Sequence, residues 1–272
     1  MTDQYAVIGN PVAHSKSPLI HAEFARQTGQ DMVYGRLLVA KGAFAAAANA
    51  FRAGGGRGLN VTLPCKSEAF RFATVLTKRA RAAGAVNTLK FDADTIFADN
   101  TDGVGLVNDL LGNLGYVISG RRVLLLGAGG AARGVIESLL QQQPAQLVLA
   151  NRTLEKAERL AQDFRGAFEA GTYAALAGRQ FDIVVNATSA SLAGELPPLP
   201  PAIIAPGALA YDMMYGKGET PFLAFARREG AALLADGLGM LVEQAAESFF
   251  IWRGLRPDSA KVLQLLRQTL NA

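Results

Sequence analysis

The stretch Arg122-Val123-Leu124-Leu125-Leu126-Gly127-Ala128-Gly129-Gly130-Ala131-Ala132 decides how the rest of this chain is read. Five residues that suit an apolar strand run directly into a G-x-G-x-x-A turn, and residues 131–141 continue as a helix. Residues 147–150 supply a second strand, which completes the β-α-β frame of a dinucleotide-binding domain. Gly127 permits the tight turn, Gly129 lets the backbone approach a pyrophosphate, and Ala132 keeps the helix close to the sheet. Ala128, Gly130 and Ala131 complete the loop, where free N–H groups and the positive end of the helix dipole favour an anion. A lone glycine pattern would equally suit a helix-packing turn; the strands on either side favour the dinucleotide.

The end of the second strand selects among dinucleotides. NAD sites commonly place a carboxylate there, about 20 residues after the glycines, to bind the ribose. Here Ala150 is followed by Asn151-Arg152-Thr153, with Lys156 close behind. A guanidinium suits a 2′-phosphate in charge and fork geometry. Cations at a helix start are disfavoured unless an anion accompanies them. The pattern points to NADP.

Outward from this motif, strand-like and helix-like runs alternate through the chain. Strands are expected at 5–8, 32–39, 59–63 and 87–91, with helices at 18–28, 43–53 and 66–81. After Asp102 come strands at 122–126, 147–150, 183–186 and a final short one at 208–212. Helices are expected at 131–141, 154–163, 238–252 and 259–270. Strands spaced by helices imply βαβ units and parallel sheets. The expected fold class is α/β with two domains around a cleft. Residues 1–102, completed by helices in 238–272, form an N-terminal substrate-binding and catalytic domain; 103–237 form a Rossmann-like NADP-binding domain. The matching segments Asp102-Gly103-Val104-Gly105 and Asp236-Gly237-Leu238-Gly239 mark the joints, where paired glycines suit either a hinge or ordinary turns.

Composition narrows the class. Half of the 272 residues are hydrophobic and 18% are charged, which excludes a disordered chain. A net charge of +4 is too small to argue for a nucleic-acid surface. One cysteine and two histidines leave no multi-cysteine or histidine-rich metal site, so no metal is expected. No apolar run approaches the roughly 18 residues of a membrane span, and the N-terminus lacks a secretory pattern. A soluble cytoplasmic protein is expected.

Chemistry-bearing residues crowd the strand ends of the first domain. In His14-Ser15-Lys16-Ser17-Pro18, Ser17 reads as a helix N-cap with Pro18 at the first helical position. With Ser15 it offers two hydroxyls to a carboxylate, whereas His14 reads as structural. Pro64 stops the strand ahead of Lys66, which falls at a helix start where the dipole disfavours a cation, making it a candidate general acid/base. Asp99-Asn100-Thr101-Asp102 closes the domain, and Asp102 is a natural partner for Lys66 in moving a proton. Asp99 and Asp102 could alternatively share a divalent metal, but a third strong ligand is missing. The basic run Lys78-Arg79-Ala80-Arg81 reads as a solvated helix end.

In this order the motifs resemble the shikimate dehydrogenase family over nearly the whole chain. The resemblance rests on Gly9-x-Pro11-x-x-His14-Ser15-x-Ser17-Pro18-x-x-His21, Asn60-Val61-Thr62-x-Pro64-x-Lys66, Gly84-Ala85-Val86-Asn87-Thr88 and Asn100-Thr101-Asp102-Gly103. It continues through the glycine turn, Asn151-Arg152-Thr153, Asn186-Ala187-Thr188-Ser189, Tyr211-Asp212-Met213-Met214-Tyr215 and Asp236-Gly237-Leu238-Gly239-Met240-Leu241-Val242-x-Gln244. It implies reversible NADPH-dependent reduction of 3-dehydroshikimate to shikimate, with hydride delivered to the C3 carbonyl and Lys66 and Asp102 as the catalytic pair. By the same resemblance Ser15, Ser17, Thr62, Asn87, Asp102, Tyr215 and Gln244 bind substrate. Ser15, Ser17 and Tyr215 would take its carboxylate. Met213 and Gly237 would lie beside the nicotinamide, and Asn151–Lys156 would clamp the adenosine phosphate. The expected partner is this small molecule, with no nucleic acid or membrane, and the chain a monomer or homodimer.

Cys65, Leu63, Lys156 and Tyr215-Gly216-Lys217-Gly218 depart from the family's usual residues, the last stretch replacing a common Tyr-Asn-Pro. Competing readings are an NAD-dependent quinate/shikimate dehydrogenase, which Asn151-Arg152-Thr153 and Ser17 argue against, and a catalytically silent binding protein, which intact Lys66 and Asp102 argue against.

Overall fold

The structure, a computed structural model, describes residues 2–271 and divides into two compact units, Met1–Gly105 with Leu241–Leu265 and Leu106–Met240 with Leu266–Ala272. Elements of the first are β1 (Asp3–Gly9), α1 (Ser17–Thr28), β2 (Met32–Leu38), α2 (Phe44–Ala53), β3 (Gly56–Val61), α3 (Lys66–Phe72), β4 (Val75–Leu76), α4 (Lys78–Ala83), β5 (Thr88–Phe91) and β6 (Ile96–Asp99). The chain passes into the second within α5 (Asp102–Asn108). There follow β7 (Arg122–Leu126), α6 (Gly130–Gln141), β8 (Gln146–Ala150), α7 (Leu154–Asp163), β9 (Glu169–Gly171), β10 (Phe181–Asn186), β11 (Ile204–Asp212), α8 (Pro221–Arg228) and β12 (Leu233–Asp236). The helix α9 (Leu238–Arg253) returns the chain to the first unit, and α10 (Ser259–Asn271) ends it. Among the described residues no helix is long and apolar enough to cross a membrane.

The second sheet is parallel throughout, in the order β12-β11-β10-β7-β8-β9. Read from β9, this is the 3-2-1-4-5-6 order of dinucleotide-binding folds, with its switch point between β7 and β10. Alternate residues of β7 go to opposite faces. Val123 and Leu125 pack with Val135 and Leu139 of α6, while Leu124 and Leu126 pack with Phe222 and Phe225 of α8. Burial on both faces is why these strands are continuous apolar runs. The strand at 208–212 belongs to a longer β11 and is not the last: β12 follows, its four residues only partly buried and so weakly marked in the sequence.

The first sheet has the order β2-β1-β3-β5-β6-β4 and departs from the parallel expectation. Strand β5 runs antiparallel to both β3 and β6. The helix expected over 66–81 is also broken. Ala73 is extended, Thr74 exchanges hydrogen bonds with Ile96, and β4 pairs with β6 before Thr77 caps α4 through the Ala80 N–H. A tertiary strand pairing overrides the helical pattern there. Reversal of β5 has a direct consequence: its first residues start at the end where β3 and β6 finish. Val61 N donates to Asn87 O (2.8 Å) and Asn87 N to Asp99 O (3.0 Å).

Candidate active site

Four residues from four separate segments meet at that end of the first unit. Lys66, the first residue of α3, donates from Nζ to Asp102 Oδ2 at 2.5 Å, both side chains being partly exposed. The Asn87 amide, just ahead of β5, donates to Asp102 Oδ1 at 2.8 Å and to Thr101 Oγ1 at 2.9 Å, with Gln244 Oε1 of α9 at 3.4 Å. Asn87 Oδ1 accepts from the Thr101 N–H at 2.8 Å, and Asn100 Oδ1 accepts from the Asp102 N–H at 3.1 Å. Both carboxylate oxygens of Asp102 are therefore fixed, one by an ammonium and one by an amide. A charge-assisted contact of this length suits proton transfer along the pair. Thr62 lies directly after β3, its N–H donating to Ile8 O at 2.9 Å.

Behind the pair lies a buried neutral network. Asn60 Nδ2 donates to Asn87 O (3.2 Å), Thr88 Oγ1 (3.2 Å) and Ser248 Oγ (3.0 Å). Its Oδ1 takes the Tyr34 hydroxyl at 2.7 Å and faces His21 Nε2 at 3.1 Å, so that nitrogen carries the ring proton. His21 is fully buried and stacked on Tyr34, and burial pushes it down to about 3. The sequence reading did not single out Thr101 or Ser248. Ser248 was detectable as the residue one turn beyond Gln244 on α9.

The loop after β1 differs from its expected capping. The helix α1 begins at Ser17, whose own side chain caps nothing; Ser15 Oγ accepts the Ser17 N–H at 3.2 Å. The N-cap position falls on Lys16 with no side-chain cap, Ser15 Oγ takes the Ser17 N–H from the preceding turn, and the buried Ser17 does no capping. His14 is exposed, so the histidine built into the structure of this segment is His21.

The second unit carries the expected dinucleotide residues at its switch point. Gly127 has φ +101°, a conformation side chains resist, and a Cβ there would press on Thr188 Cγ2 at 3.1 Å. Gly129 is the N-cap of α6 and Gly130 its first residue, and a Cβ on either would meet only open space. No side chain caps this helix, so the N–H groups at Gly130, Ala131 and Ala132 are left for a ligand; Ala128 is half-buried beside them. Asn151 follows β8 directly and its Nδ2 donates to Thr153 O at 2.9 Å. Arg152 and Lys156 are exposed and form no ion pair among the described residues. A 2′-phosphate fits this donor set, with two free cations and no carboxylate at the strand end.

The backbones of Met213 and Gly237 approach closely: a Cβ on Gly237 would collide with the Met213 carbonyl. A Cβ on Gly239 would likewise collide with the buried Asp109 carboxylate. Gly103 and Gly105 lie inside α5, and none of these four glycines has a positive φ. Close approach, not a glycine turn, explains the pair at 237 and 239. Met213 and Tyr215 lie in the loop that follows β11, which is anchored by Asp212. This buried carboxylate accepts from Asn186 Nδ2 (3.2 Å), Met214 N (3.1 Å), Ser191 Oγ (2.6 Å) and Thr220 Oγ1 (2.6 Å). Tyr215 is held protonated by burial, with the Asp236 carboxylate adding to the effect.

Together these features define a protein of two α/β units, one a Rossmann-like dinucleotide-binding fold and the other bearing a lysine–aspartate pair. Family models agree over most of the chain. Residues 7–89 match the shikimate dehydrogenase substrate binding domain, 110–193 shikimate / quinate 5-dehydrogenase, and 237–267 the shikimate 5′-dehydrogenase C-terminal domain. A relative from Chromobacterium violaceum, named shikimate dehydrogenase (NADP(+)), is 61% identical over 99% of this chain and 100% of its own length. The solved structure of an Ael1 enzyme from Pseudomonas putida is similar at a TM-score of 0.94 and 50% identity, covering 99% of this chain and 98% of that one. Shikimate 5-dehydrogenase from Thermus thermophilus, solved with NADP(H) and shikimate, is similar at a TM-score of 0.88 and 31% identity, covering 98% of this chain and 100% of that one. The chain belongs to the shikimate dehydrogenase family.

Proposed function

We propose that the protein catalyses the reversible NADPH-dependent reduction of 3-dehydroshikimate to shikimate, a step toward chorismate and the aromatic amino acids. The observation that carries the reading is the Lys66–Asp102 pair, braced by Asn87 and placed beside Gln244. NADP(H), when bound, would supply or accept the hydride exchanged with C3 of the substrate. Lys66 and Asp102 together handle the proton on the oxygen of that carbon: in reduction the pair gives a proton to it and is reprotonated from solvent, and in oxidation the pair takes that proton and releases it to solvent. Asn87, Gln244 and Thr62 orient the ring hydroxyls, while Ser15, Ser17 and Tyr215 take the carboxylate. Substrate binding and catalysis belong to residues 1–102 with 238–272, and cofactor binding to 103–237. There Gly127–Ala131 would hold the pyrophosphate, Met213 and Gly237 would border the nicotinamide, and Asn151, Arg152, Thr153 and Lys156 would receive the adenosine phosphate. The protein acts in the cytoplasm as a monomer or homodimer; its lone cysteine, buried and free, suits a reducing compartment.

Initial rates of shikimate oxidation with NADP and NAD side by side test the reaction directly. Fast turnover preferring NADP is expected, and absence of turnover with either cofactor would overturn the proposal. Arg152→Ala is expected to raise KM for NADP about tenfold, since a hydrogen bond to a charged group contributes about 1.5–3 kcal/mol and this one is exposed. KM for NAD should stay put. An unchanged NADP/NAD preference would take Arg152 out of the phosphate clamp.

A further inference from the structure

In the basic run at the start of α4, Lys78 and Arg81 are exposed as a solvated helix end would be, but Arg79 is not. Arg79 is turned inward, its side chain only 25% exposed, and forks onto Asp99 through Nε (2.8 Å, Oδ1) and Nη2 (2.5 Å, Oδ2). The same Nη2 donates to Glu247 Oε1 at 2.7 Å. Both carboxylates are buried, and Arg256 holds the other oxygen of Glu247 at 2.6 Å.

These two carboxylates lie behind the candidate active site in a specific way. Asp99 is the last residue of β6, and Asn100-Thr101-Asp102 continue from it. Its Oδ1 also takes the Thr77 hydroxyl (2.6 Å) and the Asn100 N–H (2.7 Å), and Asn100 Oδ1 in turn takes the Asp102 N–H. Glu247 sits on α9 three residues past Gln244 and next to Ser248. One rigid guanidinium therefore fixes both the strand end that delivers Asp102 and the helix that delivers Gln244.

We infer that Arg79 is a positioning residue for the Lys66–Asp102 pair, acting through Asp99 and Glu247. The inference rests on the proposed role of that pair. Lysine is a discriminating replacement. It neutralises the buried carboxylates about as well, but as a point charge on a flexible stem it cannot reproduce a planar fork on two elements. An arginine that served only charge balance would be replaceable by lysine; one that sets geometry would not.

The experiment compares wild type, Arg79→Lys, Arg79→Gln and the neutral double variant Arg79→Gln/Asp99→Asn in melting temperature, NADP affinity by calorimetry, and kcat, KM and the pH profile of shikimate oxidation. Arg79→Lys should fold, keep wild-type NADP affinity, and lose about tenfold or more in kcat/KM for shikimate with a displaced pH profile, because small misplacements of reacting groups are costly. If Arg79→Lys fails to fold, the double variant removes the Arg79 and Asp99 charges together, leaves Glu247 paired with Arg256, and should show the same loss per folded molecule. Wild-type kcat, KM and pH profile in the folded variants, with only the melting temperature lowered, would overturn the inference. A wild type that never oxidises shikimate would instead overturn the reading of the reaction, and this inference with it.

Discussion

Replacing Lys66 by alanine is expected to lower kcat for shikimate oxidation by about 10²–10⁴-fold, the usual scale for a positioned acid/base. Among the described residues the ammonium is the one group bonded to Asp102 Oδ2, and Asn87 alone would remain on the carboxylate. An alanine cannot take the proton that leaves the C3 hydroxyl during oxidation, and Asp102 would lose its ammonium partner. NADP affinity should not change, because the glycine turn and Arg152 belong to the other unit. Steady-state rates paired with calorimetric NADP titration separate the two effects. A kcat near the wild-type value would remove Lys66 from the chemistry.

The second large effect concerns stability in acid. His21 is fully buried, gives its one ring proton to Asn60, and leaves Nδ1 without a partner. Protonation would place a charge and an unmatched donor in an apolar setting, which is why burial holds the ring down to about 3. The ordinary value near 6.5 applies once the chain unfolds. Between those values the unfolded state binds more protons than the folded one, so stability rises with pH. It is fully present above about 6.5 and falls by about 1.4 kcal/mol per pH unit below it. Denaturant unfolding at pH 7 and pH 5 should therefore differ by about 2 kcal/mol. Glu247 and Asp3, whose folded values are lowered by arginine partners, act only in more acid solution. His21→Gln should flatten the slope between pH 7 and 5, even if it lowers stability overall. A flat wild-type profile would show that His21 is not held neutral.

Local grammar made much of the second unit legible. Its strands are buried on both faces and read as unbroken apolar runs, and φ +101° at Gly127 is a conformation that a sequence announces by using glycine. The candidate substrate-binding and catalytic residues are legible for another reason: they cluster beside Pro64, Pro11 and Pro18 and at strand ends, and their order resembles a family. What escaped was the set of interactions between residues far apart in the chain. Arg79 and Glu247 are 168 residues apart, and nothing in Lys78-Arg79-Ala80-Arg81 distinguishes an inward guanidinium from a solvated one. At the start of α1 neither serine is the N-cap: the path of the loop, which local sequence does not set, puts Lys16 there and leaves Ser15 Oγ to take the Ser17 N–H.

By itself the sequence determined the α/β class, the glycine turn between β7 and α6, the strand-end position of Arg152, and the placing of Lys66 at a helix start. Each of these is encoded within about ten neighbouring residues, the range over which backbone sterics and periodicity act. The tertiary structure alone decided that β5 runs antiparallel, which brings Asn87 to the ends of β3 and β6. It alone turned Arg79 onto Asp99 and Glu247 and sealed His21 against Tyr34. These outcomes depend on which strands pair and which faces are covered, and that free energy belongs to contacts the chain makes only when folded.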